Sequence, residues 1–367
     1  MAAASAALIT TLLASPALAT GANITVSPAT VPIGGDVTIS GAIPTASCQQ
    51  SDGVTLTSTA QFFPGDGFGP TVSRDASGAF QVVYTVPATT PPGMYSIGMR
   101  CGGGNVGVSA NLVVTPCMRH LPAGKVVASA ALPDGSGYWM ADSAGDVANF
   151  GGAICYGALT GVHLNAPVVG MAADPATGGY WLVGADGGVF SFNAPFFGST
   201  GNLTLNKPIV GMAATGTGGG YYFVGSDGGV FTFGNATFAG STGSMTLNKP
   251  VVGMSVDPAT GGYWLVASDG GVFSFNAPFF GSAGNLTLNK PIVGMAATAS
   301  GLGYRLVGSD GGVFTFGTAP FFGSTGNLTL NQPVIGMMTD NATGGYWMTA
   351  ADGGLFSFNA PFFGSAA

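Results

Sequence analysis

Five aspartates recur in one short turn. Asp186, Asp227, Asp269, Asp310 and Asp352 each precede two glycines. Asn-Lys-Pro strings recur between them, at Asn206-Lys207, Asn248-Lys249 and Asn289-Lys290. Carboxylate, amide and ammonium groups in this combination could hydrogen-bond a sugar or a partner protein. A plainer role competes, because Asp-Gly suits tight hairpin turns that need positive φ and lysine keeps a rim soluble. Calcium takes six to eight oxygens, and one Asp per glycine-rich turn is a thin site. No metal and no cofactor is expected.

Other chemistries lack their residues. The chain has 15 acidic residues, all of them Asp. Ordinary glycoside hydrolysis needs two carboxylates at a controlled separation, and only turn aspartates are on offer. His120 and His163 are the only histidines, and no nucleophile-elbow sequence accompanies them. Sialidases, which share a six-bladed ring, need an arginine cluster, a Glu and a Tyr. Here Arg305 is the only arginine in the repeats. The expectation is a protein that is not an enzyme. Trp139, Trp181, Trp264 and Trp347 recur in one strand, where packing competes with sugar stacking. Asn-x-Thr sequons such as Asn202-Leu203-Thr204 recur as part of the repeat.

The elements that hold these residues repeat with a period near 40, the mark of a repeat architecture. Copies begin at Val126, Val168, Ile209, Val251, Ile292 and Val334. In the fourth copy, short apolar runs at 251–256, 262–268, 271–275 and 278–281 are separated by turn signals. Such runs, rich in Val, Phe, Tyr and Trp, read as strands. They do not alternate cleanly, so both faces of each sheet are expected to be covered. Four antiparallel strands per unit, six times over, predict a six-bladed β-propeller at 126–367. Tyr263, Trp264, Phe273, Phe275, Phe279 and Phe280 are expected between neighbouring blades. The small run Gly253-Met254-Ser255 suits a crowded innermost strand. The sixth copy lacks the connector seen elsewhere, and residues 118–125 could fill that place and close the ring. A chain cut short from a seven-bladed ring is the rival. Transmembrane barrels need longer strands.

Residues 1–19 read as a signal peptide with an Ala17-Leu18-Ala19 cleavage site. Its basic start is missing, and the true N-terminus is left open. Residues 21–116 hold candidate strands at 23–26, 37–40, 54–57, 79–86, 94–101 and 108–114, separated by Pro and Gly breakers. That spacing predicts an Ig-like β-sandwich, and 117–125 a linker. Four cysteines in an exported chain imply disulfides. Cys48 with Cys101 and Cys117 with Cys155 is the pairing expected, with the other pairings left open. The fold class is all-β. A net charge of −7 with 6% charged residues argues against nucleic acid. No later stretch is long enough to span a bilayer. The protein is expected to be secreted or on the cell surface, with a polysaccharide or a surface protein as partner.

The recurring GYWLV-x-SDGGVFSF and FFGSTGNLTLNKPIVGM strings resemble the propeller repeats of secreted and cell-surface actinobacterial proteins. The resemblance covers 126–367 and implies export and, in many such proteins, an attached wall-active or adhesive module. Residues 21–116 resemble bacterial Ig-like modules. The first copy departs from the repeat, with Ala144-Gly145-Asp146 in place of Asp-Gly-Gly and with Asp142 shifted. Binding or adhesion from a propeller platform is the function expected. A lectin-like propeller is the alternative, and a glycan hydrolase or lyase comes last.

Overall fold

The computed structural model describes residues 21–367 apart from 34, 45–47, 50–51, 88–89, 103, 119, 122–125 and 161. The signal-peptide reading and most of the linker reading lie outside the described residues. The chain is all-β and divides into two compact units, Met1–Pro116 and Cys117–Ala367.

Alternation builds the first unit. Val37 and Ile39 are fully buried, whereas Thr38 and Ser40 are only half-buried. Val54 and Leu56 alternate with Thr55 and Thr57 in the same way. This period of two marks strands with one covered face. The strands are β1 (Asn23–Ser27), β2 (Thr30–Ile33), β3 (Asp36–Ala42), β4 (Val54–Thr57), β5 (Phe68–Val72), β6 (Ala79–Thr85), β7 (Gly93–Cys101) and β8 (Gly104–Met118). One sheet runs β1-β3-β6. Another runs β5-β4-β7-β8, with β2 also paired to β8. A single core of Val37, Ile39, Leu56, Phe62, Ile97 and Leu112 joins them. The Cys48–Cys101 disulfide, with Cα atoms 5.9 Å apart, ties the loop before β4 to β7. Arg74 fastens that loop again, donating to the carbonyls of Ile43, Cys48, Gln49 and Asp52.

The second unit is six copies of one antiparallel sheet. The first strands are Val126–Ala131, Val168–Ala173, Ile209–Ala214, Val251–Val256, Ile292–Ala297 and Val334–Thr339. Each pairs with a middle strand: Gly137–Asp142, Tyr180–Gly184, Gly220–Gly225, Tyr263–Ala267, Gly303–Gly308 or Tyr346–Ala350. Each middle strand pairs in turn with a third: Val147–Gly151, Val189–Phe192, Val230–Gly234, Val272–Phe275, Val313–Gly317 or Leu355–Phe358. Middle strands are buried along their whole length. This explains their largely apolar sequence, because both faces are covered.

First strands pack side by side in series, and Val334–Thr339 packs on Val126–Ala131, so the series closes. Glycine permits the close approach. A Cβ on Gly294 would lie 3.3 Å from the Cα of Gly336, and one on Gly170 would lie 3.4 Å from the Cα of Gly211. Backbone bonds stitch each copy to the next: Ile209 N–H donates to Ala185 O (2.9 Å) and Val251 N–H to Ser226 O (2.9 Å). At the closure Val126 N–H donates to Ala351 O at 3.0 Å. Leu121 N–H reaches Ala366 O at 3.3 Å, so Leu121 meets the last copy. Met118 also pairs in parallel with Ala148, and the Cys117–Cys155 disulfide holds this entry strand, with Cα atoms 5.8 Å apart. Both expected cysteine pairs form.

The expected fourth strand is corrected. From the second copy onward each sheet has three strands. The run after the third strand leaves the ladder at Asn193, Asn276 and Asn359, whose φ values are 50°, 48° and 49°. Next come Pro195, Pro278 and Pro361, which have no N–H to give to a ladder. Side chains satisfy this run instead. Trp181, Trp264 and Trp347 donate Nε1–H to those three proline carbonyls at 2.8 Å.

Candidate functional site

The turns of Asp227, Asp269 and Asp310 each meet an Asn-Lys-Pro connector. Ser226 N–H donates to Pro208 O at 3.0 Å, and Ser268 and Ser309 bond Pro250 and Pro291 likewise. Asn206, Lys207, Asn248, Lys249, Asn289 and Lys290 are exposed. The carboxylates are half-engaged. Oδ1 of Asp186, Asp227, Asp269, Asp310 and Asp352 accepts the N–H two residues on, from Gly188, Gly229, Gly271, Gly312 and Gly354, at 3.0–3.1 Å. These are Asx turns. Each aspartate is only half-buried, and its second oxygen has no hydrogen-bond partner among the described residues.

The tryptophans are removed as stacking platforms. Trp139, Trp181, Trp264 and Trp347 are fully buried. Arg305 and Tyr222 occupy the same place in the fifth and third copies. Arg305 is buried, donates to Pro320 O (3.0 Å) and Gly344 O (2.8 Å), and lies over the Tyr346 ring. Its Nη1 has no partner among the described residues. Burial lowers its pKa. Phe279 is corrected as well: it is 60% exposed and does not pack between copies.

That exposure recurs. Phe196, Phe238, Phe279, Phe321 and Phe362 stand at one position of the repeat and are all exposed, and Cys155 takes that position in the first copy, next to the exposed Ile154. Val162, Leu203, Met245, Leu286 and Leu328 form a second exposed series in the connectors. Sequence reasoning placed apolar residues of this run in the core because it took the run for a strand.

A tyrosine staple in every copy was also missed. Tyr221 accepts Phe197 N–H (3.0 Å) and donates to Gly198 O (2.7 Å), clamping the outer run of the preceding copy. Tyr263, Tyr304 and Tyr346 do the same. Tyr180 donates to Gly157 O. Tyr138 closes the series, accepting Phe363 N–H at 3.1 Å and donating to Gly364 O at 2.7 Å. Burial raises the pKa of all six, that of Tyr138 to about 12. The legible signal was Tyr at the same place in every copy.

In the first copy Asp142 takes over the turn. Its Oδ1 accepts the N–H groups of Ala144 (2.9 Å) and Asp146 (3.0 Å). It is buried, and that burial raises its pKa. Asp146 accepts the Thr160 hydroxyl at 2.5 Å. His163 is exposed beside a cleft formed by this turn and the connector. Among the described residues the only metal-like grouping is Cys48, Asp52 and Cys101, and its two sulfurs are bonded to each other.

No family model and no curated protein matches this chain. One solved structure to which it is similar is a structural-genomics protein of unknown function from Bacteroides thetaiotaomicron. The similarity has 14% identity and a TM-score of 0.43, covering 92% of this chain and 98% of that one.

Proposed function

We propose that the second unit is a six-bladed β-propeller, that the first is an Ig-like β-sandwich, and that the protein is an exported, non-catalytic binding or adhesion protein of the cell surface or extracellular space. Two disulfides favour an oxidising compartment, and no helix among the described residues is long and apolar enough to cross a membrane. The observation that carries the reading is the exposed phenylalanine at one position of five copies, Phe196, Phe238, Phe279, Phe321 and Phe362. A ring that presents one weak contact many times binds an extended surface through avidity. The test is binding of the full chain to immobilised wall polysaccharides and extracellular proteins. Saturable binding that falls at least tenfold in Phe196→Ser/Phe279→Ser/Phe362→Ser supports it. Turnover of a glycan without stable binding overturns it.

A lectin-like reading is the second. It is favoured by the exposed Asn and Lys side chains and the free carboxylate oxygens at one end of the sheets. A polysaccharide is its partner.

A further inference from the structure

The first copy breaks the repeat where the polar edge is most regular. Ala144 stands at the position of Asp186 and its equivalents, and Ala166 stands at the position of Lys207, Lys249 and Lys290. Both charges of the edge are therefore missing in this copy. The Asp142 carboxylate is turned into the hairpin and buried. His163 replaces the threonine found at 204, 246, 287 and 329.

These changes coincide with a cleft of about 310 Å³ between the turn and the connector. Ser143, His163 and Asn165 supply its polar groups, and Val162, Leu164 and Pro167 its apolar wall. None of the three polar side chains has a hydrogen-bond partner among the described residues. A hydroxyl and an amide each donate and accept, and an imidazole presents two ring nitrogens for hydrogen bonding. That set suits a ligand whose own groups do both. No carboxylate or ammonium lines the cleft, and the nearby Asp146 carboxylate is engaged by the Thr160 hydroxyl. The apolar wall can take the C–H face of a ring. The volume is at the lower limit for ligand sites, roughly 300 Å³, enough for one ring and too little for an enclosed oligosaccharide.

We propose that this cleft of the first copy binds a single neutral pyranose residue. The proposal rests on the lectin-like reading and narrows it to one copy. The sugar could be free or part of a polymer, so both are tested. Methyl glucoside, galactoside and mannoside are titrated into the full chain by saturation-transfer NMR and calorimetry, and wall polysaccharides are run beside them. The expected result is one site per chain for at least one glycoside. Ser143→Ala/Asn165→Ala and His163→Ala should each weaken it at least tenfold with unchanged circular dichroism, since these side chains hold nothing internal. Asp227→Ala/Asp269→Ala/Asp310→Ala should leave it unchanged. Five or six equivalent sites, or loss of binding only in the triple Asp variant, would overturn the cleft and leave the lectin-like reading standing at the repeated turns. Polysaccharide binding that ignores the cleft variants would do the same. Failure of every glycoside and every polysaccharide to bind would overturn both.

Discussion

The second, fourth and sixth copies differ from the third and fifth in a consistent way. In the even copies the turn after the first strand is built on a buried aspartate: Asp174, Asp257 or Asp340. Oδ1 of Asp257 accepts Ala259 N–H (2.9 Å), and Oδ2 accepts the Thr260 hydroxyl (2.7 Å). In the odd copies Thr215 and Thr298 stand there, with lighter bonding. Even copies carry a buried Trp in the middle strand and Asn at positive φ after the third strand. Odd copies carry Tyr222 or Arg305, and Gly234 or Gly317 at positive φ. The even Asp also fills the space beside the next copy's turn, where a Cβ on Gly218 or Gly301 would strike Asp174 or Asp257. Copies two to six thus alternate between two kinds of sheet, and the first copy mixes them, with Trp139 of the even kind and Gly151 of the odd. The two kinds solve the same packing problem with different chemistry.

The contrast can be broken by substitution. Trp264→Ala has the largest expected effect. It deletes a fully buried ring and its bond to Pro278 O, and about 3–5 kcal/mol should be lost in urea unfolding. The opposite change at the odd position should help. Arg305→Trp installs the even-copy solution in place of a buried guanidinium with an unpartnered nitrogen. A gain of about 1–4 kcal/mol is expected, the range seen when apolar groups replace buried charge.

Smaller effects sharpen the turns. Asp257→Ala leaves Ala259 N–H without its acceptor and the Thr260 hydroxyl with Asn276 O alone, for about 1–3 kcal/mol, and Thr298→Ala should cost about 1 kcal/mol. Equal losses in the two would dissolve the distinction between the turns. The tyrosine staples are common to both kinds of copy. Their folded pKa values lie above the unfolded value, so their contribution is full below about pH 10 and is lost as pH rises through the folded values, about 12 for Tyr138. Urea midpoints should fall steeply over that window. Tyr138→Phe should flatten the fall at a cost of about 0.5–1.5 kcal/mol near neutrality. Asp142 should show the least. Its raised pKa means its contribution is present at acid pH and lost as pH rises through the folded value. Asp142→Asn should therefore slightly raise stability near neutrality. Asp134, held below its usual range by the Ser136 hydroxyl, has the opposite slope, losing its contribution as pH falls.

Much of the frame was legible in the chain. The 41–42-residue period, the Asp-Gly turns and the crowded glycines of the first strands are local signals, and local signals survive into the fold. The cysteine pairs were legible too, since Cys155 falls beside the entry strand once the copies are aligned. The fourth run was not legible. Its residues have strand-like composition, but Pro195 and Asn193 remove it from the ladder and a tyrosine 24 residues later holds it. Composition carries no record of a partner that distant. The aspartate turns were half-legible, because the same carboxylate can close a turn or face a ligand and only geometry apportions its two oxygens.

Closure is the claim on which the rest depends, and amide hydrogen exchange tests it most directly. Val126 and Phe363 N–H bond across the junction of the first and last copies. Ile209 and Phe197 N–H make the equivalent bonds inside the series. In a closed ring the two junction amides should exchange as slowly as their internal counterparts. Junction amides that exchange orders of magnitude faster, while Ile209 and Phe197 stay protected, would mean an open series with two free ends.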